Sequence, residues 1–294
     1  MRRLIRFAVG LAVLGMIAGW VLTRPVTLDD SVFAGITGDA ARGEPVFWAA
    51  GCASCHTAPK VEEADRPILA GGQAFASPFG TFYAPNISSD PAEGIGGWSV
   101  IQLANAMQRG VSPDGAHYYP AFPYTAYQHV TPQDVADLHA YLATLPADAT
   151  PSRPHDVGFP FNIRRAVGGW KLLFLNADYV LADAPMPEVA RGRYLVEALG
   201  HCAECHTPRN ALGALNRGQW LKGAPNPSGP GRIPAIDPAS LKWAEKDIAY
   251  YLETGFTPEF DSAGGHMARV VGNFARLTPE DRQAVAAYLK ALPR

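Results

Sequence analysis

The 294-residue chain has little cysteine, no excess of charge of either sign and few long apolar segments. Four cysteines are too few for a disulfide-stabilised scaffold of this length. Twenty-five basic residues against 27 acidic ones leave no basic field of the kind that binds nucleic acid. Charged residues make up only 18% of the chain, whereas 29 glycines and 26 prolines indicate many loops and turns. The length itself favours two domains over a single core.

One long apolar segment is present, at the N-terminus. Residues 7–22 carry no charge and follow Arg2, Arg3 and Arg6, and a helix through them is just long enough to cross a bilayer. A cleaved secretory signal has the same basic start and apolar centre. No clear small-x-small cleavage pattern ends the segment, however, and Trp20 lies where interfacial aromatic residues are common. We therefore predict an uncleaved transmembrane helix within residues 1–24, with the arginines in the cytoplasm and the rest of the chain exported.

An internal repeat organises the remainder of the chain. Two Cys-x-x-Cys-His motifs begin 150 residues apart, at Cys52 and Cys202, and each follows an Ala-Arg-Gly sequence that ends at Gly43 or Gly192. After each motif comes a helical pattern that opens at a tryptophan and stops at Gly110 in the first copy. The second copy runs in the same way from Trp243 to Gly255.

Each copy then ends in an amphipathic helix introduced by Thr-Pro-x-Asp, with threonine as the N-cap and proline at the first helical position. These sequences start at Thr131 and Thr278. We predict a mostly α fold in which the transmembrane helix precedes two tandem modules, the first module at residues 37–146 and the second module at 185–294. Residues 147–184 are predicted to form a linker that packs along both.

The Cys-x-x-Cys-His spacing is the attachment signature of a c-type haem. Each thiol adds to one vinyl group of the macrocycle, and the adjacent histidine becomes the proximal iron ligand. A thioredoxin-like pair would accompany a βαβ pattern, and a zinc site would need a second ligand pair in the same module; the sequence has neither. We therefore predict two covalently bound haem c groups. Their binding residues are Cys52, Cys55 and His56 in the first module and Cys202, Cys205 and His206 in the second.

The sixth iron ligand differs between the modules. In the second, Met267 follows Gly264 and Gly265 in a predicted loop, and its soft thioether is the favoured ligand, with His266 as a competitor. The corresponding loop of the first module has no methionine. His117 lies 61 residues beyond His56, the same separation as between His206 and Met267, so we predict His117 as the ligand. Two alternatives stay open: Met107, whose place in the repeat is that of a core residue, and an open position.

These motifs resemble the membrane-bound multihaem cytochrome c subunits of bacterial periplasmic dehydrogenases, such as those of alcohol and gluconate dehydrogenases. Besides the two haem motifs, the similarity is carried by residues 83–87, 94–98, 119–124, 159–162 and 266–271. The resemblance implies that Asn86 lies near the propionates of the first haem. Those subunits commonly carry three haems, and they usually have methionine where this chain has Phe122. The sixth iron ligand that the family uses at its first haem therefore cannot be assigned to this chain from the resemblance.

The function predicted from these features is electron transfer. A dihaem cytochrome c in the bacterial inner membrane, with its haem modules in the periplasm, would pass single electrons between a periplasmic dehydrogenase or the quinone pool and a downstream respiratory acceptor. Methionine ligation predicts that the second haem has the higher potential. The alternative is a haem enzyme, a dihaem peroxidase or sulfur-compound oxidase, acting at an open first iron. Asp114 and His117 are the acid–base groups of that loop.

Overall fold

The computed structural model describes residues 1–61, 65–227 and 229–293. It begins with one long helix, α1 (Arg2–Leu22), none of whose residues is buried. This is the single helix of the described chain that is long and apolar enough to cross a membrane, a property that a signal sequence shares. A short 3₁₀ turn (Asp30–Phe33) leads into the first module.

The first module consists of short helices and one hairpin. In chain order these are α2 (Ala40–Ala49), α3 (Cys52–His56), β1 (Ala74–Ser77), β2 (Gly80–Tyr83), α4 (Val100–Ala104), α5 (Tyr124–Tyr127) and α6 (Pro132–Leu142). Strands β1 and β2 are antiparallel, with Ala74 opposite Tyr83. Helix α4 continues into a π-helical turn, Asn105–Arg109, which ends at the left-handed Gly110.

The second module repeats most of this order after the linker helix α7 (Ala166–Phe174). Its elements are α8 (Pro187–Arg193) with a π-helical continuation (Tyr194–Leu199), α9 (Ala203–His206), a 3₁₀ turn (Arg217–Gln219), β3 (Ala224–Pro225), β4 (Arg232–Ile233), α10 (Glu245–Thr254), α11 (Gly265–Phe274) and α12 (Pro279–Ala291). Strands β3 and β4 are antiparallel. The largely helical content agrees with the predicted fold class.

The residues predicted to begin and end helices do so in the structure. The Thr131 side chain accepts a hydrogen bond from the backbone N–H of Asp134, and Thr278 accepts one from Asp281, so each threonine caps the final helix of its module. Gly255 ends α10 in a left-handed conformation (φ 78°), as glycine after a helix commonly does. Local sequence therefore determines where these helices begin and end.

The repeated Ala-Arg-Gly sequence marks a helix crossing in each module. A Cβ atom on Gly43 of α2 would lie 2.0 Å from the carbonyl oxygen of Asp137 in α6. A Cβ atom on Gly192 of α8 would lie 1.9 Å from the carbonyl oxygen of Ala284 in α12. A side chain at either position would push the helices apart, so glycine allows the first and last helices of each module to pack at backbone contact.

The two modules share one hydrophobic core. A single cluster of buried apolar residues includes Phe47 and Leu138 of the first module together with Leu195, Leu199 and Tyr288 of the second. Helix α7 joins the modules from outside. The Lys171 ammonium donates to the carbonyls of Arg109 and Gly110, and the Trp170 indole N–H donates to the carbonyl of Leu212. Helix α7 thus makes hydrogen bonds to both modules.

Candidate haem-attachment sites

The first motif forms a single short helix, α3, entered through the left-handed Gly51 (φ 66°). Cys52 and Cys55 are three residues apart and so lie on the same helix face, and they are not joined in a disulfide. The Nδ1 atom of His56 lies 2.8 Å from the carbonyl oxygen of Pro85. Because a carbonyl can only accept, Nδ1 carries the proton, and Nε2 is left as the electron-pair donor.

The second motif has the same arrangement on α9. The His206 Nδ1 donates to the carbonyl of Pro234 at 2.8 Å. Burial lowers the pKa of both His56 and His206, so each ring is neutral at pH 7. A neutral imidazole whose Nδ1–H is held by a carbonyl is the usual form of a histidine that ligates a metal through Nε2.

The cysteine thiols are poorly suited to redox or nucleophilic chemistry of their own. Burial raises the pKa of Cys52 and of Cys202 to about 12 and that of Cys55 to about 11. A reactive Cys-x-x-Cys pair instead has a lowered thiol pKa. Within the described residues there is also no cluster of three or more His, Cys, Asp or Glu side chains that could hold a metal ion. Two thiols and one oriented imidazole per site fit a covalently attached haem.

The first motif contacts helix α11 of the second module, and the residues just before the two motifs contact each other. Ser54, which lies between the two cysteines of the first motif, accepts a hydrogen bond from the Asn273 amide on its hydroxyl (2.8 Å) and one from Arg269 on its carbonyl (2.8 Å). His201, directly before Cys202, has its Nε2 atom 3.3 Å from the carbonyl oxygen of Ala50. The structure therefore brings together two attachment sites whose first cysteines are 150 residues apart in sequence.

Met267 lies in the first turn of helix α11, partly buried against the shared core. The loop predicted around Met267 is therefore wrong: the helix begins at Gly265. The amphipathic pattern of residues 265–274 is a signal for this helix that the sequence analysis did not use. The ring of His266, the competing ligand, lies 6.5 Å from that of Phe75 in the first module.

His117 has protein partners at both ring nitrogens. Its Nε2 donates to the carbonyl of Thr23 (2.9 Å), and its Nδ1 accepts from the Lys171 ammonium (3.1 Å). Iron ligation would require His117 to leave one of these partners. The other candidate, Met107, is buried in the hydrophobic core.

Phe122 is half-buried on the side of the first motif. Its ring centre is 5.7 Å from that of Tyr127, whose hydroxyl donates to the carbonyl of Ala50, two residues before Cys52. Asn86 is buried, and its amide donates to the carbonyls of Asp148 and Thr150. Asn86 thereby holds the start of the linker against the first module, a role with no signal in the sequence.

Comparison with known proteins shows which family has this architecture. The profile of the family described as Cytochrome c matches the chain twice, over residues 40–146 and 189–293. The chain belongs to the cytochrome c family. As a member with two such domains and two complete attachment motifs, this cytochrome carries two covalently bound haem c groups.

Relatives with similar sequences are dihaem cytochromes and dehydrogenase subunits. A diheme cytochrome c-type of Cereibacter sphaeroides is 55% identical over 293 residues, which is 100% of this chain and 99% of the relative. The fructose dehydrogenase cytochrome subunit of Gluconobacter japonicus is 39% identical over 86% of this chain. The alcohol dehydrogenase (quinone) cytochrome c subunit of Gluconacetobacter polyoxogenes is 32% identical over 96% of it. The chain spans 52% and 60% of these two subunits. The predicted resemblance to dehydrogenase cytochrome subunits is thus confirmed.

Proposed function

We propose that this cytochrome is an electron-transfer subunit that carries single electrons between a periplasmic dehydrogenase or the quinone pool and a downstream respiratory acceptor. The observation that carries the proposal is the contact between the first attachment motif and helix α11 of the second module, made by Arg269 and Asn273 on Ser54. Haem c, when bound, supplies one-electron iron chemistry. The names of the relatives, which are subunits of alcohol and fructose dehydrogenases, support a dehydrogenase partner.

The chain's own residues hold each haem and set its potential. Cys52 and Cys55 fix the first macrocycle and Cys202 and Cys205 fix the second, while His56 and His206 present Nε2 to the iron. The carbonyls of Pro85 and Pro234 hold these rings in one tautomer and orientation. We propose Met267 as the sixth ligand of the second haem, which gives it the higher potential.

We further propose that His117 is not the sixth ligand of the first haem. His117 donates to Thr23 and accepts from Lys171, and a buried histidine gives up either of these hydrogen bonds only at a cost. Two possibilities follow for that iron, ligation by Met107 and an open position beside Phe122. Because His117 is committed to structural partners, an acid–base role for it in peroxide or sulfur chemistry is also disfavoured.

Helix α1 is proposed to be retained as a membrane anchor, and the contacts at its end support this. The Arg165 guanidinium lies 4.1 Å from the centre of the Trp20 ring and also donates to the Trp20 carbonyl and to the Thr23 hydroxyl. Gly168 of α7 leaves room for the Thr23 carbonyl, which would lie 2.2 Å from a Cβ atom there. A segment removed after export would have no need of such a binding site.

A potentiometric titration of the oxidised holoprotein, followed by electron paramagnetic resonance, tests the function. We expect two haems with separate potentials and a low-spin signal from the second. Electron transfer is then checked by adding a quinol and recording reduction of both haems in the visible spectrum. Two haems that titrate at one potential would contradict the proposed ligation. A quinol-insensitive protein that reacts rapidly with peroxide would favour the haem-enzyme alternative.

A further inference from the structure

Exposed leucines extend the surface of α7 that contacts the end of α1. Leu172 is 60% exposed and Leu173 is 72% exposed. They follow Gly168 and Gly169 by four residues, and both glycines lie against Thr23. Because residues four apart share a helix face, the leucines continue the face on which α1 ends, about one helical turn further along.

The loop before α7 carries more exposed apolar side chains. Phe159 is 81% exposed, and Phe161 and Ile163 are 45% and 46% exposed. The loop is fixed in place, since the carbonyl of Phe161 accepts a hydrogen bond from the Tyr119 hydroxyl at 3.0 Å. A loop that holds three large apolar side chains toward solvent is unusual in a monomeric soluble protein.

The loop and α7 belong to one continuous surface. The Phe161 ring packs on that of Phe79 (5.0 Å between centres), and the Phe79 ring lies against the turn at Gly213. The neighbouring Leu212 is 54% exposed, and its carbonyl accepts from Trp170 of α7. We name this surface the interfacial patch and define it by Phe159, Phe161, Ile163, Leu172, Leu173 and Leu212.

The charges in the loop and helix that carry all of the interfacial patch except Leu212 are positive. Residues 158–175 include Arg164, Arg165 and Lys171 and contain no aspartate or glutamate. Arg24 follows directly after the last turn of α1 and is exposed. Basic residues beside an apolar face favour contact with anionic phospholipid headgroups. Trp20, under the Arg165 guanidinium, lies at the end of α1, where aromatic residues meet the headgroup layer.

We propose that the interfacial patch lies in the headgroup–acyl boundary of the bilayer that α1 crosses. The bilayer is the chosen occupant because the patch is continuous with α1, whose whole apolar surface is exposed. The cytochrome then contacts the membrane at two places, and the orientation of both haem modules relative to the membrane is fixed. This inference rests on the proposed anchoring role of α1.

Thiol accessibility in nanodiscs tests the proposal. The haem thioethers use all four native cysteines, so a single introduced cysteine is the one reactive thiol of the full-length holoprotein. Leu173→Cys and Phe159→Cys probe the patch, and Leu14→Cys probes the middle of α1. Phe260→Cys is the matched control: Phe260 is 92% exposed, and it lies between Glu259 and Asp261, which disfavour contact with anionic lipid.

Each variant is placed in phosphatidylethanolamine–phosphatidylglycerol nanodiscs and treated with a membrane-impermeant sulfonated maleimide or with N-ethylmaleimide. For each position, the labelling rate with the impermeant reagent is divided by the rate with N-ethylmaleimide. This ratio removes differences in the intrinsic reactivity of the thiols. We expect the ratio to be several-fold lower at positions 159 and 173 than at 260. Equal ratios at the three positions, with position 14 protected, would overturn the interfacial patch alone and leave its surface to a protein partner. Free labelling of position 14 by the impermeant reagent would overturn the anchor and the patch together, whereas the redox titration tests electron transfer separately.

Discussion

Replacing Gly192 by alanine should destabilise the second module through one methyl group. The new Cβ atom would lie 1.9 Å from the Ala284 carbonyl oxygen and 2.7 Å from the Tyr288 Cβ atom. Since non-bonded contacts are favourable only from about 3.5 Å, α8 and α12 must separate by about 1–1.5 Å. Overpacking of this kind costs about 1–3 kcal/mol.

The loss of stability is measured as a fall in Tm, the midpoint temperature of thermal unfolding. For a core of about 150–250 residues, each kcal/mol shifts Tm by about 2–4 °C, so we expect a fall of about 2–12 °C for Gly192→Ala. Circular dichroism of the holoprotein in one detergent provides the melting curves, and the haem spectrum shows whether attachment is complete. Gly43→Ala should behave in the same way, because its Cβ atom would lie 2.0 Å from the Asp137 carbonyl oxygen.

Gly218→Ala is the control in the same module. Its Cβ atom would meet a single atom, the Asn216 Oδ1 at 3.5 Å, which is an ordinary contact. We expect its Tm to stay close to that of the unmodified protein. If Gly192→Ala and Gly218→Ala have the same Tm, the argument that glycine is needed for the helix crossing is refuted.

Three further outcomes are expected. Met267→His should lower the potential of the second haem in a potentiometric titration, since methionine raises it relative to a second imidazole; an unchanged potential would exclude Met267 as the ligand. Arg269→Ala removes hydrogen bonds to the Ser54 carbonyl and the Gln73 amide oxygen and should lower the free energy of unfolding by about 1.5–3 kcal/mol in denaturant titrations, whereas an unaltered midpoint would mean that these bonds contribute nothing net. Burial lowers the pKa of His129 to about 4 from an ordinary value of 6.5, so the neutral ring contributes stability above pH 6.5 that is lost as the pH falls toward 4. His129→Gln should flatten that pH dependence of the denaturation midpoint, and an unchanged slope would contradict the assignment.

The presence of two haem groups and the positions of the helix ends could be predicted because their signals are local. The attachment chemistry fixes the spacing of Cys52, Cys55 and His56, and threonine and proline at residues 131–132 act through backbone N–H groups within one turn. The second motif and the cap at Thr278 repeat the same sequences. Such patterns need no knowledge of the tertiary structure.

Contacts between distant segments could not be predicted in this way. Asn273 meets Ser54 across 219 residues, and His117 meets Thr23 across 94. The separation of 61 residues that suggested His117 as an iron ligand assumes that both modules have loops of equal shape. Helix α11 shows that they do not, because the described loop of the first module has a short helix, α5, where the second module has ten helical residues from Gly265.

Helix α7 also helps to hold the two modules in one relative position. Lys171 ties it to the first module and Trp170 ties it to the second, while Arg269 and Asn273 join the modules directly. The modules therefore do not diffuse toward and away from each other on a flexible tether. The distance between the two irons is set by packing, so the rate of exchange between them should be independent of solvent viscosity. Under the proposed function, a step that slows with solvent viscosity would therefore be the encounter with a redox partner.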